Sequence, residues 1–257
     1  MKISACIIAL NEADRIGEAI RSVRECCDEV LVVDGGSTDA TADLALKNGA
    51  RVCTRPFDDY SPQKNFAISE ARFPWILSID ADERVSPALA LEIDAIRKSS
   101  LEDTHDVSAY AFPRQTYYLG RLIRHAWGDD TKPRLFHRDR ARWEGELVHE
   151  GLKVDGRIRR LTKPLYHHTY RDISDHVRRM DLYSTLGAQK LARNGRRASF
   201  VGYAFLPLWT FFRFYVLNAG FLDGWPGFVI SALSSYQVML KYLKLREICQ
   251  RGGDAVP

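Results

Sequence analysis

Cysteine is scarce in this chain, and its arrangement excludes two common kinds of site. The chain has five cysteines among 257 residues, and none forms a C-x-x-C pair or lies at zinc-ligand spacing from a histidine. An odd number of cysteines without a regular framework favours a reducing compartment. Internal repeats, low-complexity segments and zinc or RNA-binding motifs are also missing, which argues against a nucleic-acid partner.

A signal peptide is missing as well. Met1-Lys2 leads directly into a strand-like run that ends at the polar pair Asn11-Glu12, so we expect a cytoplasmic protein. A strong excess of one charge is lacking too, because the formal net charge is only +4. Basic residues nevertheless dominate from Arg114 to Arg197. This asymmetry indicates a polyanionic partner, which is a nucleic acid, an anionic membrane face or a phosphorylated substrate, although any single residue can equally belong to a solvated surface.

Short apolar runs alternate with helical patterns over the first hundred residues. The pattern predicts strands over 3–10, 29–33, 50–54 and 75–79, and helices over 13–23, 62–70 and 88–98, with a further helix capped by Ser37 or Thr38 and running to Leu46. Such alternation predicts a doubly wound α/β domain with a mostly parallel sheet and right-handed crossovers. Ligands bind outside the carboxyl ends of such strands. The candidates there are Asn11, Glu12, Asp34, Arg55, Asp80 and Asp82.

Two carboxylates, Asp80 and Asp82, follow the strand Trp75–Ile79. Residues two apart in an extended segment point to the same side, so both can approach one cation. Mg²⁺ is commonly held by one or two carboxylates, with substrate phosphates completing its shell. Alternatively, these acids form a turn that starts the helix at Ser86-Pro87. The spacing alone leaves both interpretations open.

Three segments in this region resemble the successive motifs of family 2 glycosyltransferases with the GT-A fold, namely 7–12, 32–41 and 77–83. The resemblance implies a GT-A domain over 1–170, a nucleotide-sugar donor, a divalent cation (Mg²⁺ or Mn²⁺) and inversion at the anomeric carbon. Segments 143–150 and 165–170 are similar to one branch, the lipopolysaccharide inner-core β-1,4-glucosyltransferases. That branch implies transfer of a hexose, glucose from UDP-glucose, to a heptose on a lipid-linked core.

The resemblance also implies roles for residues on the donor side. Asp34 accepts a hydrogen bond from the uracil N–H, or it caps the next helix. Asn11 and Glu12 face the same nucleotide, or they form a turn and a helix N-terminal charge. The motif assigns Asp80 to the ribose or a metal-bound water, and Asp82 to the metal.

Further roles fall on the phosphate and acceptor sides. Lys64 assists the phosphates or is an exposed helix lysine. Inversion requires a base that removes the acceptor proton, and the matching motif implies that this base is Glu150, with Glu146 as its nearest competitor and Glu144 as a surface residue. His167 closes the metal shell or is a structural histidine. The basic residues from Arg121 to Arg142 grip acceptor phosphates or form surface ion pairs.

The C-terminal region, 171–257, is expected to be helical. Ala198–Leu222 is nearly all apolar and rich in aromatic residues, but Pro207 and Arg213 interrupt it. We favour helices that lie in the membrane interface, which makes the protein peripheral on the inner face of the cell membrane. A dimer surface, core helices and a membrane span are the alternatives.

Two other functions are compatible with these patterns. The same fold can transfer sugar to another acceptor, such as a peptide, a polyprenyl-linked sugar or a capsule precursor. A non-catalytic UDP-binding membrane scaffold is the second alternative, but a scaffold has no need for so many acids at the strand ends.

Overall fold

The computed structural model describes residues 1–99, 106–128, 130–145 and 150–253. The chain divides into two compact units. The first consists of Met1–Gln115 and Asp130–His167, and the second of the segment beginning at Thr116 together with the chain from His168 onward. The expected division into 1–170 and 171–257 did not anticipate that the segment from Thr116 joins the C-terminal unit.

Four parallel strands form the centre of the first unit, in the order β3-β2-β1-β4. They are β1 (Ile3–Ala9), β2 (Glu29–Asp34), β3 (Arg51–Thr54) and β4 (Trp75–Asp80). The intervening helices are α1 (Ile16–Val23), α2 (Thr41–Lys47), α3 (Tyr60–Glu70) and α4 (Pro87–Lys98). The predicted alternation of strands and helices is therefore confirmed.

Buried side chains explain why this sheet forms. All seven residues of β1 are buried, as expected for a parallel strand that is covered on both faces. In α1 the buried residues are Ile16, Ala19, Ile20 and Val23, the single stripe that the sequence pattern predicts. The apolar side chains of the strands form two separate core clusters.

Strands outside the central four extend the sheet, most of them in antiparallel pairs. The remaining strands are β5 (Glu83–Val85), β6 (Val107–Tyr118), β7 (Arg121–Ile123), β8 (Thr131–His137), β9 (Ala141–Glu144), β10 (Gly151–Val154), β11 (Arg157–Arg160) and β12 (Leu165–His168). Strand β8 pairs antiparallel with β4, and β9 pairs with β10 as a separate two-stranded sheet. Strand β12 pairs antiparallel with β5 and sets His167 opposite Glu83. The sheet is thus mostly parallel at its centre and mixed beyond it.

Two helix starts bear on the site. The side chain of Ser86 caps α4 by accepting a hydrogen bond from the Leu89 N–H, and Pro87 occupies the first turn. Asp80 and Asp82 therefore do not cap this helix. The expectation that Ser37 or Thr38 caps α2 is wrong, because α2 begins at Thr41 and both residues instead bond to Asn11.

The second unit is largely helical from Ile173 onward. It contains α5 (Ile173–Arg193), α6 (Phe200–Phe212), a π-helical segment (Arg213–Leu217), a 3₁₀ segment (Gly220–Asp223) and α7 (Trp225–Gly253). Within the described chain, one helical stretch, Phe200–Leu217, is long and apolar enough to cross a membrane by length and composition, and only 11% of it is buried.

Candidate active site

Lys64 is the centre of a charged cluster next to the carboxyl end of β4. Its Nζ lies 2.6 Å from Glu150 Oε1 and 3.0 Å from Asp80 Oδ1. The residue is only 2% exposed, because it lies on the inward face of α3. The Trp143 ring contributes a further contact, with its centroid 4.4 Å from the ammonium. The alternative that Lys64 is an exposed helix lysine is therefore wrong.

Glu83 adds a fully buried acid to this cluster. Its Oε1 lies 2.9 Å from Arg134 Nη2 and 3.3 Å from Arg114 Nη1, and its Oε2 accepts a hydrogen bond from the Asp80 N–H. Arg134 also reaches Asp80 Oδ2 at 3.3 Å. The sequence did not mark Glu83 or Arg114, although Glu83 closes the 77–83 motif. Charges buried this deeply need such partners.

Arg134 does not have the surface ion-pair role that was one of the two expectations for the basic residues from Arg121 to Arg142. It is 4% exposed, so it is not part of a surface ion pair. Its guanidinium lies over the Trp143 ring at 5.5 Å. In the same set, Arg138 donates to the backbone carbonyl of Phe73 at 3.1 Å, which is a structural contact.

The two carboxylates that contact Lys64 have pKa values that their surroundings shift in opposite directions. Burial by itself raises the pKa of Asp80, but the positive charges of Lys64, Arg134 and Arg114 outweigh it and hold that pKa well below its usual range. Burial also raises the pKa of Glu150, and here the Lys64 charge offsets the effect only in part. Glu150 is therefore a stronger proton acceptor than an exposed glutamate.

Asp82 has different partners from Asp80. Its Oδ2 lies 3.5 Å from His167 Nε2 and 3.9 Å from Arg15 Nη1. Burial by itself raises the pKa of Asp82. The hydrogen bond and the charge of His167 outweigh this effect, so the pKa is lowered overall. Arg15 is a buried residue that the sequence patterns did not single out.

Asp82 and His167 are compatible with one divalent cation. Each Mg²⁺–ligand bond is about 2.1 Å long, so two ligands of one ion can be up to about 4.2 Å apart. The 3.5 Å separation of the carboxylate oxygen and the imidazole nitrogen satisfies this limit. No group of three or more His, Cys, Asp or Glu side chains suited to a metal exists among the described residues. A cation held by these two side chains would complete its coordination shell with water or substrate oxygens.

Asn11, Glu12 and Asp34 meet in one loop region at the ends of β1 and β2. Asp34 is 3% exposed, and its Oδ2 accepts hydrogen bonds from the N–H groups of Gly36 and Ser37. Its other oxygen binds the Ser37 hydroxyl. Asp34 therefore shapes this turn, and it does not cap α2.

Asn11 and Glu12 connect this turn to the start of α1. Asn11 adopts a left-handed conformation at φ 54°, and its Oδ1 accepts from the Thr38 N–H at 2.9 Å. The Glu12 carbonyl accepts from the N–H groups of Arg15 and Ile16, which begins the helix. The Glu12 carboxylate lies 3.9 Å from Arg15 Nε.

Glu146 and Glu144 are the other two glutamates considered beside Glu150. Glu146 lies outside the described residues. Glu144 is exposed and lies 3.7 Å from Lys153, in agreement with the surface position expected for it.

Asp34 and Asp80 lie at the carboxyl ends of β2 and β4, where open α/β sheets bind their ligands. The family model described as Glycosyl transferase family 2 matches residues 4–151, and the chain belongs to this family. Its fold is the GT-A-like Rossmann fold that the sequence motifs implied, with an additional C-terminal helical region.

Relatives agree with the family assignment, and a solved structure agrees with the fold. An uncharacterized glycosyltransferase of Rickettsia bellii is 34% identical, covering 96% of this chain and 87% of the relative. The lipopolysaccharide core biosynthesis glycosyltransferase LpsC of Rhizobium meliloti is 30% identical, covering 96% of this chain and 95% of the relative. The crystal structure of S. aureus TarS aligns with a TM-score of 0.50 at 15% identity, covering 93% of this chain and 55% of TarS. This last likeness concerns the fold alone.

Proposed function

We propose that this chain is an inverting glycosyltransferase that moves a hexose, glucose from UDP-glucose, to a heptose of the lipopolysaccharide inner core. The observation that carries the proposal is the position of the Lys64 ammonium, within hydrogen-bond distance of both Asp80 and Glu150. Lys64 thus holds Glu150, the proposed base, close to Asp80, the proposed donor-site carboxylate. Asp80 ends β4, and ligands of such sheets bind outside the carboxyl ends of the strands. The similarity to a protein named as a lipopolysaccharide core glycosyltransferase supports this class of acceptor.

Glu150 has the properties of a general base. Its Oε1 is held by Lys64, while its Oε2 is buried and has no hydrogen-bond partner in the part of the chain that the structure describes. That second oxygen can take the proton of the acceptor hydroxyl. The acceptor oxygen then bonds to the anomeric carbon from the opposite face as the bond to the diphosphate breaks. The electron pair of that bond leaves with UDP, and the configuration inverts.

Residues on the donor side bind and orient UDP-glucose in this proposal. Asp82 and His167 hold a Mg²⁺ or Mn²⁺ ion, which when bound neutralises the charge that grows on the leaving diphosphate. Asp80 binds the ribose or a metal-bound water, and Lys64 is close enough to Asp80 to assist the phosphates. Asn11 and Glu12 face the nucleotide.

Asp34 is assigned a supporting role in the same proposal. Both of its oxygens already accept hydrogen bonds from the loop at Gly36 and Ser37. The carboxylate thus holds the shape of the nucleotide loop, and a contact to uracil uses its remaining acceptor capacity.

The proposed acceptor is lipid-linked, and the protein is peripheral on the inner face of the cell membrane. An exposed apolar stripe on α6 supports this part of the proposal. It consists of Val201, Phe205, Leu208 and Phe212, which are spaced so that they share one face of the helix. An exposed apolar face of this kind binds the boundary between headgroups and acyl chains.

Product analysis tests the proposed function. The purified protein is incubated with Mn²⁺, a panel of UDP-sugars and defined heptose-containing core acceptors, and the anomeric configuration of the product is determined by NMR. We expect a β-linked glucoside from UDP-α-glucose. Transfer only to a peptide or polyprenyl acceptor contradicts the proposed acceptor, and retained configuration contradicts the single displacement. Tight UDP binding without turnover on any acceptor indicates a scaffold instead.

A further inference from the structure

A cavity separate from the candidate active site lies within the C-terminal unit. Its volume is about 390 Å³, within the range of small-molecule sites. The walls come from α6, the π-helical segment, α7 and the loop at Trp127. They combine aromatic, hydrogen-bonding and basic side chains, which include Trp127, Trp209, Arg213, Ser234, Gln237 and Lys241.

Both charged residues in this wall are cations. Within the described part of the chain, neither Arg213 nor Lys241 forms an ion pair with a carboxylate, although Lys241 lies 5.1 Å from the Tyr242 ring. Lys241 is half-buried, and this burial lowers its pKa. Nearby Lys244, in contrast, is paired with an acid, because its Nζ lies 2.6 Å from Asp181 Oδ1. Arg213 and Lys241 therefore leave this cavity with two positive charges that no acid of its wall offsets.

The backbone around the cavity is adapted to these side chains. Arg213 opens the π-helical segment Arg213–Leu217, and such segments are frequent at functional sites. The Lys241 stem passes close to Gly187, where an added Cβ would come within 3.0 Å of the lysine Cδ. The absence of a side chain at position 187 thus leaves room for Lys241.

The same helix that lines the cavity carries the exposed apolar stripe. Trp209 and Thr210 of α6 line the cavity, while Phe205 and Leu208 of α6 are exposed to solvent. An anionic lipid is complementary to this arrangement, because its phosphate lies next to its acyl chains. Arginine binds phosphate oxygens bidentately, and tryptophan is enriched at the depth of the headgroups.

We propose that this cavity binds the phosphodiester headgroup of an anionic glycerophospholipid while the α6 stripe contacts its acyl chains. Arg213 and Lys241 contact the phosphate, and Ser234 and Gln237 offer hydrogen bonds to the other polar atoms of the headgroup. This site deepens the membrane association proposed above and rests on that part of the proposed function. It supplies a specific lipid contact in addition to diffuse attraction to an anionic surface.

Binding of a monomeric lipid tests the site without a membrane. The full chain is titrated with dihexanoyl-phosphatidylglycerol below its micelle concentration, and tryptophan fluorescence is recorded because Trp127 and Trp209 line the cavity. We expect saturable binding that weakens about fivefold in Arg213→Gln and in Lys241→Gln, since one cation contributes about 1 kcal/mol. Arg213→Lys keeps the charge but loses the bidentate guanidinium, so its affinity should lie between those of the wild type and Arg213→Gln.

Matched controls separate this site from diffuse electrostatics. Arg193→Gln and Lys190→Gln remove the same charges from exposed positions of α5 and should leave the affinity unchanged. Equal losses in these controls would overturn the proposal. So would equal binding of dihexanoyl-phosphatidylcholine, or displacement of the lipid by inorganic phosphate at equal concentration.

The titration contains neither UDP-sugar nor acceptor. Its outcome is therefore independent of whether the chain transfers glucose, and failure of the lipid site is distinguishable from failure of the proposed function. Circular dichroism and thermal unfolding of each variant show whether the fold is intact.

Discussion

Lys64 and Glu150 form an ion pair of 2.6 Å across 86 residues of sequence. The lysine belongs to α3, and the glutamate directly precedes β10. The pair fixes one oxygen of the proposed base and leaves the other oxygen for the acceptor hydroxyl. The same ammonium also contacts Asp80 at 3.0 Å, so the donor side and the acceptor side of the proposed reaction share one buried cation.

The Glu150→Gln variant tests the proposed base. The amide keeps the size of the side chain but cannot take the acceptor proton, so we expect kcat to fall about 10²–10⁴-fold with UDP binding preserved. Steady-state transfer rates and calorimetric titration with UDP measure the two effects. Glu144→Gln is the matched control, because Glu144 is exposed beside Lys153, and it should transfer normally. Near-normal turnover of Glu150→Gln would move the base to another residue.

The Lys64→Met variant tests the buried cation. Removing the ammonium leaves Asp80 and Glu150 without their shared partner, and we expect a loss of about 3 kcal/mol in the free energy of unfolding. Urea denaturation measures the loss, and the exposed Lys47→Met serves as its control. Because the two residues are in contact, the Lys64→Met/Glu150→Gln double variant should regain part of the stability. Strict additivity of the two substitutions would contradict the coupling.

Metal dependence distinguishes Asp82 from exposed acids. With Mn²⁺ present, UDP should bind more tightly than in EDTA, and Asp82→Asn should lose this difference, at least about tenfold in affinity. Isothermal titration of UDP with and without Mn²⁺ measures it without any need for turnover. Asp139→Asn is the control, because Asp139 is highly exposed. A wild-type protein that binds UDP equally in EDTA would remove the cation from the donor site.

His176 makes the stability of the C-terminal unit depend on pH. The imidazole is buried, stacks on Tyr170 at 4.0 Å and lies 2.8 Å from the Tyr118 hydroxyl. Burial lowers the pKa of His176 to about 4, below the value of about 6.5 in an unfolded chain. Between these two values the unfolded state binds the extra proton, so the stability contributed by neutral His176 is present above about pH 6.5 and is lost as the pH falls.

The expected size of this effect is about 1.4 kcal/mol per pH unit in that window. Urea unfolding at pH 7 and pH 5 should therefore show wild-type protein losing roughly 2 kcal/mol more than His176→Gln. An equal loss in both proteins would show that His176 does not titrate in this way.

The exposed stripe of α6 accounts for the proposed membrane association. Leu208→Glu should weaken binding to anionic vesicles at least about tenfold, because burial of one leucine contributes roughly 1.5–3 kcal/mol. Vesicle co-sedimentation measures the change. Leu91→Glu places the same charge at an exposed leucine of α4 and should bind as wild type does. Unchanged partitioning of Leu208→Glu would place the contact surface elsewhere.

Local sequence patterns determined the central sheet of this protein. Strands β1 to β4 are short apolar runs followed by polar residues. A parallel strand that is buried on both faces gives this pattern, so the strand can be recognised from its local sequence alone. The positions of Asn11, Asp34, Asp80 and Asp82 at strand ends follow from the same pattern. The start of α2 was missed because Ser37 and Thr38 bond to Asn11, a residue distant in sequence.

Tertiary structure alone decided which of these groups meet. Asp80 and Asp82 are two residues apart, yet Asp80 contacts Lys64 while Asp82 contacts His167. No local pattern distinguishes a buried helix lysine from an exposed one, because burial depends on what packs against the helix. Lys64 is buried by Trp143 and neutralised by Glu150, both about eighty residues further along the chain. Residue types and strand ends are local properties of the sequence, whereas charge pairing in a desolvated site is a property of the folded chain.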